Sequence, residues 1–202
     1  MARKKKNQLK MPAIIVGFLL ILVGFVFSLM SLSDPVGNNN PLARQEDENM
    51  TKQEFIERLL PHAKELQEGY GILPSIIISQ AILESNWGSS QLAHEYNNLF
   101  GIKAYGDQDK VKLETKEYVN EQWITIKGEF RVYNSWEESM DDHTRLFVNG
   151  VDWNPQKYED VLTAQNYEQA ADALQEAGYA TDPGYAEKVK EVVENYQLDQ
   201  YD

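Results

Sequence analysis

The chain has 202 residues, 42% of them hydrophobic and 25% charged, which is enough for one ordinary globular domain with an appendage. It contains no cysteine, and this excludes disulfides, thiolate metal sites and a cysteine nucleophile. The three histidines are scattered, with no pair at a spacing typical of metal ligands, so we expect neither a metal nor another cofactor.

Charge is distributed unevenly along the chain. Five of the 19 basic residues stand in the first ten positions, and no acidic residue precedes Asp34. The remainder carries 14 basic against 32 acidic residues. Because nucleic-acid binding depends on neutralising phosphates, we expect no nucleic-acid partner.

An uncharged apolar run of 21 residues extends over 12–32. About 20 apolar residues cross the bilayer core as a helix, so the run predicts a single N-terminal transmembrane helix. The basic residues before it place the tail at 1–11 in the cytoplasm and the rest of the chain outside. A cleaved signal peptide is the alternative, but its apolar region is usually about 7–15 residues and ends at small residues. Residues 33–50 have linker composition, which leaves a domain at 51–202.

The exported domain is predicted to begin with two helices. Thr51 and Glu54 form a capping-box pattern before apolar residues that keep helical spacing to about Glu68. The second helix is predicted to open near Pro74 and to close at Gly88. Only a weak polar stripe interrupts its apolar surface, so we expect it to be buried on most sides.

The sequence period changes to two between Asp109 and Tyr133. We predict a strand ending near Val119, a turn at 120–121, and further β segments at 123–126 and 130–133. A helical pattern returns at 135, with later helices predicted at 158–162, 167–177 and 185–196. The predicted fold class is therefore α+β and mostly helical, with a small β-hairpin lobe and a cleft between lobe and helical body.

Two carboxylates stand where apolar residues are expected. Glu84 lies on the largely apolar second helix, where loss of solvent would raise its pKa and keep it protonated as a general acid. Glu117 shares a strand face with Val111, Leu113 and Val119. Two carboxylates across a cleft are what glycoside hydrolysis commonly requires. An ordinary solvated glutamate stays open as the alternative for each.

The domain contains several distinctive sequence blocks in a fixed order. They are 81–90 (AILESNWGSS), 97–103 (NNLFGIK), 115–118 (TKEY), 130–136 (FRVYNSW), Ser139 with Asp142 and His143, and 178–183 (GYATDP). This series resembles the bacterial endo-β-N-acetylglucosaminidases of glycoside hydrolase family 73. The resemblance extends over roughly 54–196.

The resemblance implies a lysozyme-like fold and cleavage of the β-1,4 bond between N-acetylglucosamine and N-acetylmuramic acid. It implies that Glu84 is the catalytic acid, and it suggests Glu117 as the second carboxylate. Either Glu117 activates a water, or the substrate's own N-acetyl group acts as nucleophile. The implied substrate-binding residues are Asn98, Phe100, Lys103, Tyr118 and Tyr179. A core role for Phe100, a turn role for Asn98 and a solvated charge at Lys103 stay open as alternatives.

These observations favour a membrane-anchored peptidoglycan hydrolase of the autolysin kind, on the wall side of the cell membrane. Its expected partners are peptidoglycan strands and, through residues 12–32, the bilayer. Protein partners in a wall-remodelling complex stay open. The alternatives are a muramidase or lytic transglycosylase of the same fold, and a non-catalytic wall-binding scaffold. The intact motif around Glu84 favours an enzyme.

Overall fold

A computed structural model describes residues 50–119 and 122–202, with the backbone alone described for 115–119 and 122–124. The predicted basic tail (1–11), the predicted transmembrane anchor (12–32) and the predicted linker up to residue 49 lie outside the described residues. Within the described part of the chain, no helix is both long enough and apolar enough to cross a membrane.

The described residues form a mostly helical body with one small sheet, which confirms the predicted α+β class. In chain order the elements are α1 (Lys52–Tyr70), α2 (Pro74–Ser85), α3 (Gln91–Tyr96), β1 (Lys110–Val119), β2 (Gln122–Arg131), α4 (Trp136–Asn149), α5 (Glu159–Leu162), α6 (Tyr167–Glu176), α7 (Tyr185–Tyr196) and a 3₁₀ helix (Leu198–Tyr201).

Helix α1 begins and ends with the signals that its sequence carries. The Thr51 side chain accepts a hydrogen bond from the Glu54 backbone nitrogen at 3.2 Å, and Glu54 accepts one from the Thr51 nitrogen at 2.7 Å. This reciprocal pair is the predicted capping box. The helix ends before Gly71, whose φ is 86°. A Cβ there would lie 2.7 Å from the Leu162 carbonyl oxygen, so only glycine fits this close approach.

Helix α2 is the centre of the body, packed by α1, α6 and α7. Ten of its 12 residues are buried, which confirms the predicted burial on most sides. Ile76, Ile77 and Ile78 have no exposed surface, and full burial of such a side chain contributes about 1.5–3 kcal/mol each. The Asp202 carboxylate accepts hydrogen bonds from the Ser75 backbone nitrogen at 2.8 Å and from its hydroxyl at 2.7 Å, and so stabilises the first turn of α2.

The β-lobe is an antiparallel hairpin whose register pairs Lys110 with Arg131 and Glu117 with Ile124. The prediction of two separate segments at 123–126 and 130–133 was wrong, because β2 is one continuous strand. Gly128 does not interrupt it. A Cβ at 128 would lie 2.7 Å from the Lys103 amine, so the glycine lets Lys103 approach the sheet.

Two elements were missed and several boundaries moved, among them the end of α2, which lies at Ser85 rather than at the predicted Gly88. Helix α3 has only six residues, too short for a helical period to show, although Ser90 caps it by accepting from the Ala93 nitrogen at 3.2 Å. The 3₁₀ helix was also missed. Helix α5 begins one residue later than predicted and α6 ends one residue earlier, while the bounds of α7 are confirmed.

Candidate active site

Glu84 is the penultimate residue of α2, and a tyrosine from α7 reaches its carboxyl. The Tyr185 hydroxyl donates a hydrogen bond to Glu84 Oε1 at 3.0 Å. The same hydroxyl accepts one from Gln80 Nε2, also at 3.0 Å. Gln80 and Tyr185 are both buried. Because its oxygen already accepts from Gln80, Tyr185 directs its single proton to Glu84.

The surroundings of Glu84 keep its carboxyl neutral. Burial raises its pKa from 4.5 to about 8, and the hydrogen bond from Tyr185 acts in the opposite direction. The residue is only half-buried, so the acid stays accessible from one side. Since Oε1 accepts from Tyr185, a proton on the carboxyl belongs on Oε2. A neutral carboxyl with one accessible side is suited to protonate a leaving-group oxygen.

A tight turn fixes the position of Glu84 at the helix end. Asn86, Trp87 and Gly88 follow with φ angles of 50°, 62° and 75°. The Ser85 hydroxyl donates to the Ala81 carbonyl at 2.5 Å and accepts from the Gly88 nitrogen at 2.7 Å. A Cβ at Gly88 would lie 2.7 Å from the Trp136 ring. Successive positive φ angles are costly outside glycine, so these contacts hold a strained segment beside the site.

A buried aromatic cluster lies behind Tyr185. The Tyr179 and Tyr185 rings stack with centroids 5.5 Å apart. The Tyr179 hydroxyl lies 3.1 Å from His143 Nε2, and the His143 ring stacks on Phe100 at 3.9 Å. Burial lowers the pKa of His143 to about 3, so the ring is neutral. The negative charge of Glu84, when ionised, adds to burial in raising the pKa of Tyr179.

Asn98 and Phe100, two of the predicted substrate-binding residues, are both buried. Asn98 Nδ2 donates to the carbonyls of Ile102 and Arg131, each at 2.9 Å, and its Oδ1 accepts from the Ile102 nitrogen at 3.0 Å. Asn98 therefore joins the loop after α3 to the end of β2. Phe100 is buried in the core. Their predicted contact with substrate stays a prediction, as does that of Tyr179, which is also buried.

The remaining predicted residues belong to the β-lobe and its base. The Lys103 amine lies 4.0 Å from the Phe130 ring centroid, and Lys103 lines a cavity of about 300 Å³ beside α4. Glu117 and Tyr118 lie on β1, where Glu117 follows Val111 and Leu113 at alternate positions. The side chains of Glu117 and Tyr118 lie outside the described part, so the separation of the two carboxylates stays open and both roles stay predictions.

Three residues around Glu84 were missed by sequence reasoning. Gln80 stands four residues before Glu84, on the same face of α2, so its spacing was visible. Tyr185 follows the 178–183 block by two residues, but nothing local indicates that it meets α2. His143 was part of a block without an assigned role. Over 50–119 and 122–202, no group of three or more His, Asp or Glu side chains is arranged to hold a metal ion.

The fold and this site define a class of protein. A helical body with a small β-lobe, and a neutral carboxyl at the end of its central helix, are typical of lysozyme-like glycoside hydrolases. Residues 60–198 match the glucosaminidase family, described as mannosyl-glycoprotein endo-beta-N-acetylglucosaminidase, and the chain belongs to this family. It is therefore a glycoside hydrolase, and the resemblance to glycoside hydrolase family 73 is confirmed.

Individual relatives differ in their named activity. The chain is 46% identical to the exo-glucosaminidase LytG of Bacillus subtilis over 202 residues, all of this chain and 70% of that protein. It is 39% identical over 151 residues to a probable N-acetylmuramidase of Lactococcus lactis subsp. cremoris, covering 73% of this chain and 34% of that one. The catalytic domain of the Listeria monocytogenes autolysin Auto superposes with a TM-score of 0.70 at 34% identity, covering 84% of this chain and 100% of that domain.

Proposed function

We propose that this chain is a membrane-anchored glucosaminidase that hydrolyses peptidoglycan at the β-1,4 bond between N-acetylglucosamine and N-acetylmuramic acid. Glu84 is the general acid. Family membership supports the reaction class, and the names of the relatives support a cell-wall substrate.

The observation that carries the proposal is the environment of the Glu84 carboxyl, which lies at the end of the largely buried helix α2 and accepts a hydrogen bond from the Tyr185 hydroxyl at 3.0 Å. Burial raises the pKa of Glu84 to about 8, so near neutral pH the carboxyl holds the proton that the leaving oxygen needs. In the first step Glu84 gives that proton to the glycosidic oxygen while the bond to the N-acetylglucosamine anomeric carbon breaks. Tyr185 then stabilises the carboxylate that forms, because its hydroxyl already donates to Oε1.

The second step needs a nucleophile at the anomeric carbon. We assign Glu117 to this step, either by activating a water or by orienting the N-acetyl group of the substrate. Its position on β1, with Val111 and Leu113 on the same strand face, supports a place on the inner side of the lobe. The two routes differ in stereochemical outcome. Direct attack by a water that Glu117 activates inverts the anomeric carbon and predicts carboxylates about 6.5–9.5 Å apart, whereas attack by the N-acetyl group, followed by water, retains its configuration.

The competing function is cleavage of the alternate bond by a muramidase or lytic transglycosylase, and the lactococcal relative named as a probable N-acetylmuramidase favours it. The test is digestion of purified peptidoglycan by the full-length chain, followed by identification of the new ends. The proposal predicts reducing N-acetylglucosamine. Reducing N-acetylmuramic acid or 1,6-anhydro ends would replace it with the alternative, and binding without cutting would favour the scaffold.

The same digestion separates internal from terminal cleavage. The family is described as endo-acting, whereas LytG is named an exo-enzyme. An endo-enzyme shortens long strands quickly and releases few small products at first. An exo-enzyme releases small products from the start while most strands stay long.

The proposed anchor rests on the uncharged run at 12–32 and on the basic residues before it. The alignment with LytG also extends over the whole chain, including this segment. Expressed in a bacterial cell, the full-length chain is expected in the membrane fraction, with residues 51–202 cleaved by protease added outside. Recovery as a shortened soluble protein in the medium would favour a cleaved signal peptide instead.

A further inference from the structure

A cluster of charged and apolar side chains lines a cavity at the base of the β-lobe, and the proposed chemistry does not use it. The cavity has a volume of about 300 Å³ and is lined by the 102–108 segment, the end of β2 and the last two turns of α4. Its lining residues include Ile102, Arg131, Asp142, His143, Arg145 and Leu146. Glu84 is not among the lining residues, but His143 links the cavity to it through Tyr179 and Tyr185.

Two buried nitrogens on the lining residues lack a hydrogen-bond partner among the described residues. They are Arg131 Nε and His143 Nδ1. The arginine nitrogen always carries a hydrogen and can only donate. When Tyr179 donates to His143 Nε2, the ring hydrogen of His143 lies on Nδ1, which is then a second donor. Buried donors normally have acceptors, and since neither nitrogen has exposed surface, a ligand in the cavity reaches them only when the lining side chains shift.

The charge of the cavity also favours an acceptor that is negative. Its single carboxylate, Asp142, is engaged by Arg131 Nη1 at 2.5 Å and by the Tyr133 hydroxyl at 2.7 Å. Arg145 Nη1 is 3.9 Å from Asp142 Oδ1, at the limit of an ion pair, and the Arg145 side chain is 61% exposed. Two guanidinium groups therefore share one carboxylate that already has hydrogen-bond partners. This local excess of positive charge contrasts with the domain as a whole, because residues 50–202 carry 13 basic and 28 acidic side chains.

The shape and chemistry of the walls indicate a small planar anion on a short apolar arm. Guanidinium groups bind carboxylates through paired, parallel hydrogen bonds. Ile102 and Leu146 add apolar surface beside the arginines. A volume of about 300 Å³ is at the lower end for ligand pockets, so it suits one or two amino-acid residues rather than a run of sugars.

We propose that this cavity binds a free carboxylate of the short peptides that peptidoglycan carries on its N-acetylmuramic acid. The inference rests on the proposed function, since it concerns the same substrate. Through this cavity the enzyme recognises the peptide as well as the glycan. Arg145 supplies the accessible guanidinium, and Arg131 and His143 supply the buried donors.

The test compares two substrates: glycan strands with their peptides, and the same strands after an amidase has removed the peptides. The full-length chain with Arg145→Gln is expected to lose about 10-fold in kcat/KM on peptide-bearing strands, mostly through KM, and little on stripped strands. Arg145→Lys keeps the positive charge but cannot form the paired hydrogen bonds of a guanidinium, so it is expected to recover only part of the lost kcat/KM. Equal losses on both substrates, or no loss on either, would overturn the proposal.

Lys64→Gln is the matched control, because it removes one positive charge from an exposed position on α1, away from the cavity. It is expected to leave both rates unchanged, and a loss like that of Arg145→Gln would attribute the effect to overall charge. If the wild-type chain releases no N-acetylglucosamine ends from either substrate, the proposed function itself has failed, which is a separate result.

A binding experiment tests the buried donors without turnover. N-acetyl-D-alanine is titrated into the full-length chain while the ¹⁵N resonances of the His143 ring are followed. A saturable shift of Nδ1 that the neutral N-methylamide of the same compound does not produce supports a carboxylate site. The same shift with both compounds, or with neither, contradicts it.

Discussion

The helical body and the β-lobe hold their two glutamates in different ways. Glu84 stands at the end of a helix with ten buried residues, is followed by a turn held by Ser85, and receives a hydrogen bond from Tyr185. Glu117 stands on a two-stranded hairpin whose base is joined to the body by Asn98 and by the pairing of Lys103 with Phe130. The proposed acid, Glu84, is therefore held in place before substrate binds, whereas the position of the proposed second carboxylate, Glu117, depends on where the lobe lies.

This difference suits the two steps of the reaction. Proton transfer to the leaving oxygen needs a tuned pKa, which a packed helix end provides through burial. The second step needs a group that fits the far side of the sugar ring. A hairpin attached at one end can adjust to the glycan more easily than a central helix can.

Glu84→Gln should produce the largest loss. A glutamine keeps the shape and still accepts from Tyr185, but it has no proton to give. We expect kcat on peptidoglycan to fall by about 10²–10⁴-fold with the fold intact, as judged by circular dichroism and thermal unfolding. The matched control is Glu95→Gln, an exposed glutamate on α3. If Glu84→Gln kept wild-type activity, Glu84 would not be the general acid.

Glu117→Gln should cost less than Glu84→Gln. If Glu117 activates a water, the loss is expected near the lower end of the general-base range, about 10²-fold in kcat. Glu114→Gln is the control, since Glu114 is an exposed residue of the same strand. Azide added to the Glu117→Gln reaction would distinguish the routes, because a small nucleophile can replace an activated water. Equal rates for Glu117→Gln and Glu114→Gln would show that the lobe contributes no second carboxylate.

Tyr185→Phe should shift the pH dependence more than the maximal rate. Its hydroxyl stabilises the ionised carboxyl, so its removal raises the pKa of Glu84 further above about 8. The acid then stays protonated to higher pH, and the alkaline limb of kcat should move upward by about one pH unit, given about 1.5–3 kcal/mol for a charged hydrogen bond and about 1.4 kcal/mol per unit. Tyr196→Phe, another α7 tyrosine, is the control and should leave the limb in place. If the alkaline limb of Tyr185→Phe instead moved to lower pH, the Tyr185 hydroxyl would not stabilise the ionised Glu84 carboxyl.

His62→Gln should have the smallest effect, on stability alone. His62 joins α1 to α4 through Nε2 and Asp141 Oδ1 at 2.8 Å, and its Nδ1 lies 2.9 Å from Glu65 Oε2. Burial alone would lower the pKa of His62, but the two carboxylates outweigh it and raise the pKa. The stabilisation is therefore full below the unfolded histidine pKa of about 6.5 and is lost as pH rises through the raised folded value.

Urea unfolding of the wild type and His62→Gln at acid and alkaline pH measures this effect. We expect a loss below about 1 kcal/mol at acid pH, because the pair is partly solvated, and almost none at alkaline pH. An equal loss at both pH values would show that packing rather than charge is responsible.

Much of the helical body could be predicted from the sequence, because its signals are local. The capping box at Thr51, the proline at the first turn of α2 and the apolar surface of α2 each depend on neighbours in the chain. Glu84 was identified for the same reason, as a carboxylate out of place on an apolar helix. Its prediction needed no knowledge of the other helices.

The contacts that tune Glu84 could not be predicted, because they join distant parts of the chain. Tyr185 is 101 residues away from Glu84, and His143 is 36 residues away from Tyr179. Asn98 and Phe100 carried a motif signal, but a motif alone does not reveal that both side chains are buried. Gly128 was mistaken for a break because a glycine in a strand has the same sequence signal whether it ends the strand or admits a close neighbour.

Burial is proposed to keep Glu84 protonated near neutral pH, and titration of its carboxyl tests this without any assay of activity. The full-length chain would be prepared with ¹³C-labelled glutamate carboxyls, and the Glu84 resonance assigned by its absence in Glu84→Gln. The chemical shift would then be followed from acid to alkaline pH. We expect a midpoint at about 8, whereas a midpoint at the ordinary value of 4.5 would show that burial does not keep the carboxyl protonated.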